Sequence, residues 1–286
     1  MGRVTEQRRT LRIDLADGVC RERPDSVVVE EPLELRIGSN ALTVTMRTPG
    51  HDIEWVHGFL HAEGIIAGRE DVVSARYCAG SVEQDETGVP ANTYNVIEVR
   101  LADHVPDPIA AGKTRSFATS SACGVCGKTS IEELAVRAAY DLHDDDVQVS
   151  AQTLLSLPDL LREQQRTFER TGGLHAAGLF TADGGPIVVR EDVGRHNAVD
   201  KVVGWAVQQG LLPLRGHVLQ LSGRVSFELA QKAYLAGIPV VSAVSAPSSL
   251  AIATAQEAGM TIAGFVRGSS LNVYTRTDRV RVPAPV

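Results

Sequence analysis

The residues with the plainest chemical potential are two thiols, Cys123 and Cys126, in the stretch SACGVCGKTS that starts at Ser121. A Cys-x-x-Cys spacing suits a disulfide, half of a zinc site, or a nucleophile that carries a group from one place to another. Zinc takes four ligands, and Cys20 and Cys78 lie far away without a spacing motif of their own. His57 and His61 are four apart but lack the intervening Glu of a metalloprotease helix, so they read as ordinary, partly exposed side chains. A thioredoxin-like pair would sit at the start of a helix, whereas here a Gly- and Ser-rich approach delays the helix to Thr129 or Ser130. Such a loop is expected to swing, and Arg115 and Lys128 would favour thiolate. An exposed thiolate there can attack a sulfur donor, hold a persulfide and deliver it.

A second set of residues has the chemistry of anion and nucleotide binding. It falls in four segments: Glu191-Asp192-Val193-Gly194-Arg195-His196-Asn197, Ser222-Gly223-Arg224, Ser245-Ala246-Pro247-Ser248-Ser249 and Phe265-Val266-Arg267-Gly268. Ser222, Ser245 and Ser248 precede expected helices, whose free N–H groups attract phosphate. Arg195, Arg224 and Arg267 offer bidentate guanidinium contacts, and Asp192 a carboxylate for a guanine edge. His196 and Asn197 can orient ligand groups, although a buried structural histidine is an equal alternative. Any one segment is more often a plain helix cap or turn; four together with three arginines favour a phosphorylated ligand with a purine head. No Walker A or G-x-G-x-x-G sequence occurs.

The elements that must present these residues follow from pattern. Residues 1 to 24 lack apolar periodicity and are expected as a mobile arm. Alternation from Val27 to Met46 around Gly38-Ser39-Asn40 predicts a hairpin, and Asp52 is expected to cap a helix through Trp55, Val56, Phe59 and Leu60. Strands are expected at Val72 to Tyr77 and Tyr94 to Leu101, giving a small α+β region at 25–108, closed by the His104 to Pro108 punctuation. Region 109–286 begins with the cysteine loop and a helix from Ile131 to Ala139, capped by Ser130 and Glu133. A helical stretch from Ser150, interrupted at Pro158, runs to Gly172-Gly173. Strands LHAAGLFTA and PIVVR then form a hairpin over Asp183-Gly184-Gly185. Helices and strands alternate from His196 to Val266, which predicts an α/β unit with a largely parallel sheet and antiparallel pairing where the hairpin joins it. In such sheets ligands settle outside the carboxyl ends of the strands, where the four segments fall.

Composition narrows the class. The chain has 286 residues, 43% of them hydrophobic and 22% charged, which describes an ordinary globular protein. A formal charge of −7 argues against a protein that coats nucleic acid. No apolar run approaches the ~20 residues of a membrane span. The N-terminus MGRVTEQRRT has no apolar stretch behind it, so a cytoplasmic location is expected, where thiols stay reduced.

The blocks CGVCGK, TGGLHAAGLF, EDVGRHNAVDKVVG, SGRVSFELAQKAYLAGIPVVSAVSAPSSLAI and GFVRG…NVY together closely resemble the FdhD family, sulfur carriers required for formate dehydrogenase. The resemblance runs from about the first hairpin to the last strand. It implies a sulfurtransferase that accepts persulfide sulfur from a cysteine desulfurase and passes it to the molybdenum cofactor, in its bis(molybdopterin guanine dinucleotide) form, before insertion into formate dehydrogenase. It further implies Cys123 as the persulfide carrier, Cys126 as an assisting thiol, and a cofactor segment over Phe265, Val266, Arg267, Gly268, Ser269 and Ser270. A guanine-nucleotide site that GDP would mimic, a homodimer, and a cytidine-deaminase-like mixed sheet in the C-terminal domain beside a smaller α+β N-terminal domain complete the implication. Deaminase chemistry is not expected, since Ala122 rather than Pro precedes Cys123 and no His-x-Glu partner is expected upstream. A cofactor chaperone that passes no sulfur, and a thiol oxidoreductase cycling Cys123 with Cys126, are the alternatives.

Overall fold

The computed structural model describes residues 3–78, 82–84, 90–92, 95–109, 118–119 and 140–282. The stretch expected as an arm opens the fold as a hairpin, β1 (Thr5–Asp14) with β2 (Val19–Val28). Its Leu11, Ile13 and Leu15 do alternate, but they face solvent. A period-2 signal without a core behind it is easily missed. The expected second hairpin follows as β3 (Glu31–Ile37) and β4 (Asn40–Arg47), closed by a two-residue turn in which Gly38 has φ 56°.

Helix α1 (Asp52–Ala62) has the expected span, but its cap differs. His51 occupies the N-cap in a left-handed conformation, and Asp52 instead forms a buried ion pair with Arg47, 3.1 Å away. After α1 come β5 (Val72–Tyr77), β6 (Val82–Gln84), β7 (Pro90–Asn92), β8 (Val96–Leu101) and the short β9 (Ala118–Thr119). Five of these strands form a sheet in the order β5-β8-β3-β4-β9, with β9 parallel to β4.

The remainder runs β10 (Val149–Ser150), α2 (Ala151–Glu163), α3 (Arg166–Thr171), β11 (His175–Thr181), β12 (Pro186–Asp192) and α4 (Arg195–Gln209). Then come β13 (His217–Leu221), α5 (Phe227–Leu235), β14 (Val240–Ala243), α6 (Ser249–Glu257), β15 (Thr261–Arg267), β16 (Ser270–Val273) and β17 (Val280–Arg281). Ser150 caps α2 by accepting from the Thr153 N–H. The helix continues through Pro158, and the break falls at Gln164-Gln165 instead. The sheet order is β12-β11-β13-β14-β15-β16. Only β13-β14 and β14-β15 pair in parallel, so the sheet is mixed, with the antiparallel pairing expected at the hairpin and a further antiparallel strand, β16, that was not expected. The hairpin on one edge and β16 on the other supply the antiparallel pairs.

One face of this sheet is covered by α2, through Leu154, Leu157 and Leu161 against Phe180, Val218 and Val240. Each such leucine contributes about 2 kcal/mol by leaving water. The other face carries α4, α5 and α6 and merges with the first region. Leu33 and Leu35, Trp55 and Leu60, Val202 and Leu219 belong to one continuous core. The two regions expected to divide near residue 108 therefore share their interior, and β9 belongs to the first region's sheet although it lies beyond that boundary.

Backbone contact between α1 and α4 sets that union. A Cβ on Gly204 would lie 1.7 Å from the Glu54 carbonyl oxygen, and one on Gly58 would lie 1.9 Å from that of Asp200. Two helices meet here with no side chain between them. We expect Gly204→Ala to force the helices apart and cost about 3 kcal/mol. Urea unfolding measures it, and an unchanged midpoint would show that the crossing relaxes freely.

Candidate functional site

The carboxyl ends of β12, β13, β14 and β15 lie on one edge of the six-stranded sheet, as the sequence leads one to expect. The N-termini of α4, α5 and α6 begin there. Ser222 bridges β13 to β11, its hydroxyl accepting from the Ala176 N–H at 2.8 Å while its own N–H donates to the Ala176 carbonyl. Next to it, Val225 and Ala246 join the loops before α5 and α6 at 3.2 Å. Ser248 caps α6 by accepting from the Ala251 N–H. The Ser245 carbonyl accepts from the Phe265 N–H at 3.2 Å, so the last two loops are also tied.

Phe265 adopts φ 53°, a left-handed conformation unusual for an aromatic residue. Such strain costs about 1–3 kcal/mol and gathers at functional positions. Arg267 is exposed, with its guanidinium carbon 5.8 Å from the Phe265 ring centroid. Gly268 and Ser269 turn the chain from β15 into β16, and Ser269 and Ser270 are exposed. Val266 departs from its expected role, because its side chain is buried in the core under α2. Arg224 is exposed at the same edge, and Arg195 is half-buried as the first residue of α4. His196 is held by Glu228, 2.7 Å away, and by Ser226.

Asp192 is the main correction. It is fully buried, and its oxygens accept from Lys201 Nζ at 2.6 Å, the Thr48 N–H at 3.2 Å, the Gly194 N–H at 2.8 Å and Asn197 Nδ2 at 3.1 Å. Four donors leave it nothing to offer a guanine edge. Asn197 likewise points into the body, donating to the Met46 carbonyl and accepting from Trp55 Nε1. Within the polar block EDVGRHNAVDK, the side chains of Asp192, Asn197 and Lys201 are thus spent joining the end of β4 to α4. Sequence spacing gives no warning, since a buried carboxylate and a ligand-facing one are the same letter.

Cys123, Cys126, Arg115, Lys128 and the helix expected from Ile131 to Ala139 lie outside the described residues. The chain enters that stretch from β9, whose Thr119 pairs with Thr45, two residues before Arg47 ends β4. It resumes at Tyr140, packed near Gly237.

His57 and His61 are buried rather than partly exposed. Contrary to expectation, an upstream His-x-Glu does occur, at His61-Ala62-Glu63, yet His61 lies near the Lys232 cation, a poor neighbour for a metal. Among the described residues no cluster of three metal-capable side chains occurs. No described helix is long and apolar enough to cross a membrane.

Three residues that pattern analysis did not single out also reach the carboxyl edge. Gln165, Phe168 and His175 line a cavity there with Val193, Ser222 and Val244. His175 stands within the quoted block TGGLHAAGLF, but nothing in its spacing marks it as facing a cavity.

Comparisons agree with this architecture. A model of the FdhD/NarQ family matches residues 28–281. The chain is 54% identical over 280 residues to a protein of Nocardia farcinica named sulfur carrier protein FdhD, covering 98% of this chain and 96% of that one. It is 52% identical over 287 residues to a protein of the same name from Streptomyces coelicolor, covering 100% and 99%. The crystal structure of a formate dehydrogenase accessory protein from Desulfotalea psychrophila superposes with a TM-score of 0.73 at 22% identity, over 98% of this chain and 100% of that one. The last likeness concerns fold.

Two outcomes follow from the buried charges. Asp192→Ala strands the Lys201 ammonium and should cost about 3–5 kcal/mol in urea unfolding, whereas Asp192→Asn with Lys201→Met should recover most of that loss. Burial, and then Lys232, push the His61 imidazole down to about 4. The unfolded chain binds that proton near pH 6.5 and the folded one does not, so stability falls as pH drops from about 6.5 to 4, by about 3 kcal/mol in full. His61→Leu should flatten that part of the stability-against-pH curve, and an unaltered slope would assign the acid sensitivity elsewhere.

Proposed function

The chain belongs to the FdhD/NarQ family, and from that premise we propose that it is a sulfur carrier serving formate dehydrogenase, with Cys123 as the residue that carries the sulfur. The donor is a cysteine desulfurase, and the acceptor is the molybdenum cofactor as bis(molybdopterin guanine dinucleotide), bound as substrate. Cys123 thiolate attacks the outer sulfur of the donor persulfide. The donor's S–S bond breaks, the donor leaves as thiolate, and a new S–S bond forms on Cys123. Cys126 acts as the assisting thiol.

The observation that carries the binding half is the carboxyl edge of the six-stranded sheet. Three helix N-termini gather there with exposed Arg224 and Arg267 and the Phe265 to Ser270 turn. Free N–H groups and guanidinium forks together suit a polyanionic dinucleotide. Holding such a ligand by its phosphates and base leaves its metal end to meet the sulfur, so that positioning supplies the rate advantage. Of the segments named from sequence, Arg195, His196, Ser222, Arg224, Ser245 and Ser248 stay in this reading, while Asp192 and the Val266 side chain support the site from within. GDP serves as the mimic of the ligand's tail. The reading also includes a cytidine-deaminase-like descent of the mixed sheet, as fold only, a homodimer, and a cytoplasmic setting.

Mixed with a cysteine desulfurase and cysteine, the wild-type protein should gain the mass of one sulfur atom on Cys123 by intact and peptide mass spectrometry. Cys123→Ala should gain none while still binding GDP. A stoichiometric persulfide on the Cys123→Ala protein would overturn the assignment. A fully active formate dehydrogenase matured by that variant would favour a chaperone that passes no sulfur.

A further inference from the structure

The hairpin of β1 and β2 belongs to neither large sheet and forms a ribbon of its own. Each strand has ten residues, so the ribbon reaches about 30 Å. Its base is anchored: Arg170 on α3 donates to the Thr5 hydroxyl at 3.5 Å, and Val28 lies against Gly173. Beyond the base, Arg8, Arg9, Leu11 to Ile13 and Cys20 to Pro24 are exposed. A two-stranded ribbon on its own is marginally stable in water, and a surface laid against it relieves that.

The pairing register sorts the side chains onto two unlike faces. One face carries Leu11 and Ile13, each 59% exposed, with Cys20 opposite Ile13, and Leu15 follows in the turn at 91%. The other face sets Arg12 directly opposite Arg21, with Arg23 diagonal to Arg12. Like charges so placed repel. The acids of that face are turned elsewhere. Asp14 accepts from the Ala16 and Asp17 N–H groups, Asp25 from the Ser26 N–H, and Glu6 from Arg8. Arg12, Arg21 and Arg23 have no ion-pair partner among the described residues.

An apolar stripe backed by three unpaired guanidinium groups complements a protein groove edged by carboxylates. Other anionic surfaces fit poorly. The turn sets Asp14 and Asp17 beside Leu15, so a leucine entering an anionic bilayer would carry two carboxylates with it. The ribbon's five arginines balance its five acidic residues, which leaves the net charge of −7 on the body that a nucleic acid would also meet.

The anchor points to which protein. The Thr167 and Phe168 N–H groups at the start of α3 donate to Glu191 at 3.0 and 2.8 Å, and Glu191 adjoins Asp192 at the carboxyl edge of the six-stranded sheet. The ribbon is therefore rooted at the rim of the edge assigned to the cofactor. A partner held by it lies where a loaded cofactor leaves. We propose that the β1-β2 ribbon is the docking surface for the enzyme that receives the cofactor, which takes it in an apolar groove edged by carboxylates. The inference rests on the reading of the chain as a sulfur carrier serving formate dehydrogenase. Apart from Val28, the ribbon lies ahead of the family match.

Biolayer interferometry of the full chain against purified, cofactor-free formate dehydrogenase tests this. Arg12→Glu with Arg21→Glu and Arg23→Glu, and separately Leu11→Ser with Ile13→Ser, should each weaken binding about tenfold or more. Raising salt from about 50 to about 200 mM should weaken the wild type and leave the arginine variant nearly unchanged. Thermal midpoints and persulfide loading by a cysteine desulfurase should match wild type in both variants, which separates lost docking from lost folding or lost chemistry. Enzyme affinity that ignores either set of substitutions would overturn the docking surface. So would lost persulfide loading, which assigns the ribbon to the desulfurase, or a changed oligomeric mass by light scattering, which assigns it to a second copy of the chain. A wild-type chain that loads sulfur yet does not bind the enzyme overturns the docking surface alone, and one that neither loads nor binds overturns the sulfur-carrier reading with it.

Discussion

One buried carboxylate organises this molecule. Asp192 ends a strand of the six-stranded sheet, yet it reaches Thr48 beyond the end of β4 and Lys201 on α4. Removing an ion pair of this kind from water is expensive unless every remaining lone pair is satisfied, and here the count closes. Lys201 in turn donates to the Thr48 carbonyl, and Val193 N–H donates to the Thr48 hydroxyl. The consequence is geometric. The loop after β4 and the loop after β12 are fixed to each other, and the N-terminus of α4 is set in place between them.

That fixation explains how a site can be built at a sheet edge from short loops. Each loop holds its neighbour: Ser222 ties to Ala176, Val225 to Ala246, and Ser245 to Phe265. Beside the unusual backbone of Phe265, Gly264 leaves no room for a side chain, since a Cβ there would meet Pro247 and Tyr274. Exposed guanidinium groups and helix N-termini then face outward from a frame that does not depend on them. Charge for a ligand and charge for the fold sit within a few residues of one another, in the same polar block.

Much of this was legible in the sequence. Alternation and helical spacing located β3, β4, β8 and α1, and every helix and strand from β11 to β15, because each has a buried face that forces its period. Tertiary pairing was not legible. Asp52 looked like a cap and became the partner of Arg47, Pro158 looked like a break and lies within a continuous helix, and Asp192 looked ligand-facing and turned inward. In each case the residue type permits both roles, and only a distant neighbour chooses between them. The edge strand β16 was missed because its residues are exposed and carry little apolar pattern. Gln165 and His175 escaped because facing a cavity is a property of three dimensions.

The meeting of α1 and α4 has a genetic corollary. Gly58 and Gly204 are already the smallest residues available, and each faces main chain rather than side chain. A bulkier residue at either position cannot be relieved by trimming its neighbour. Suppressor alleles of such a lesion must therefore arise away from the junction, by raising the stability of the whole protein rather than by local repair.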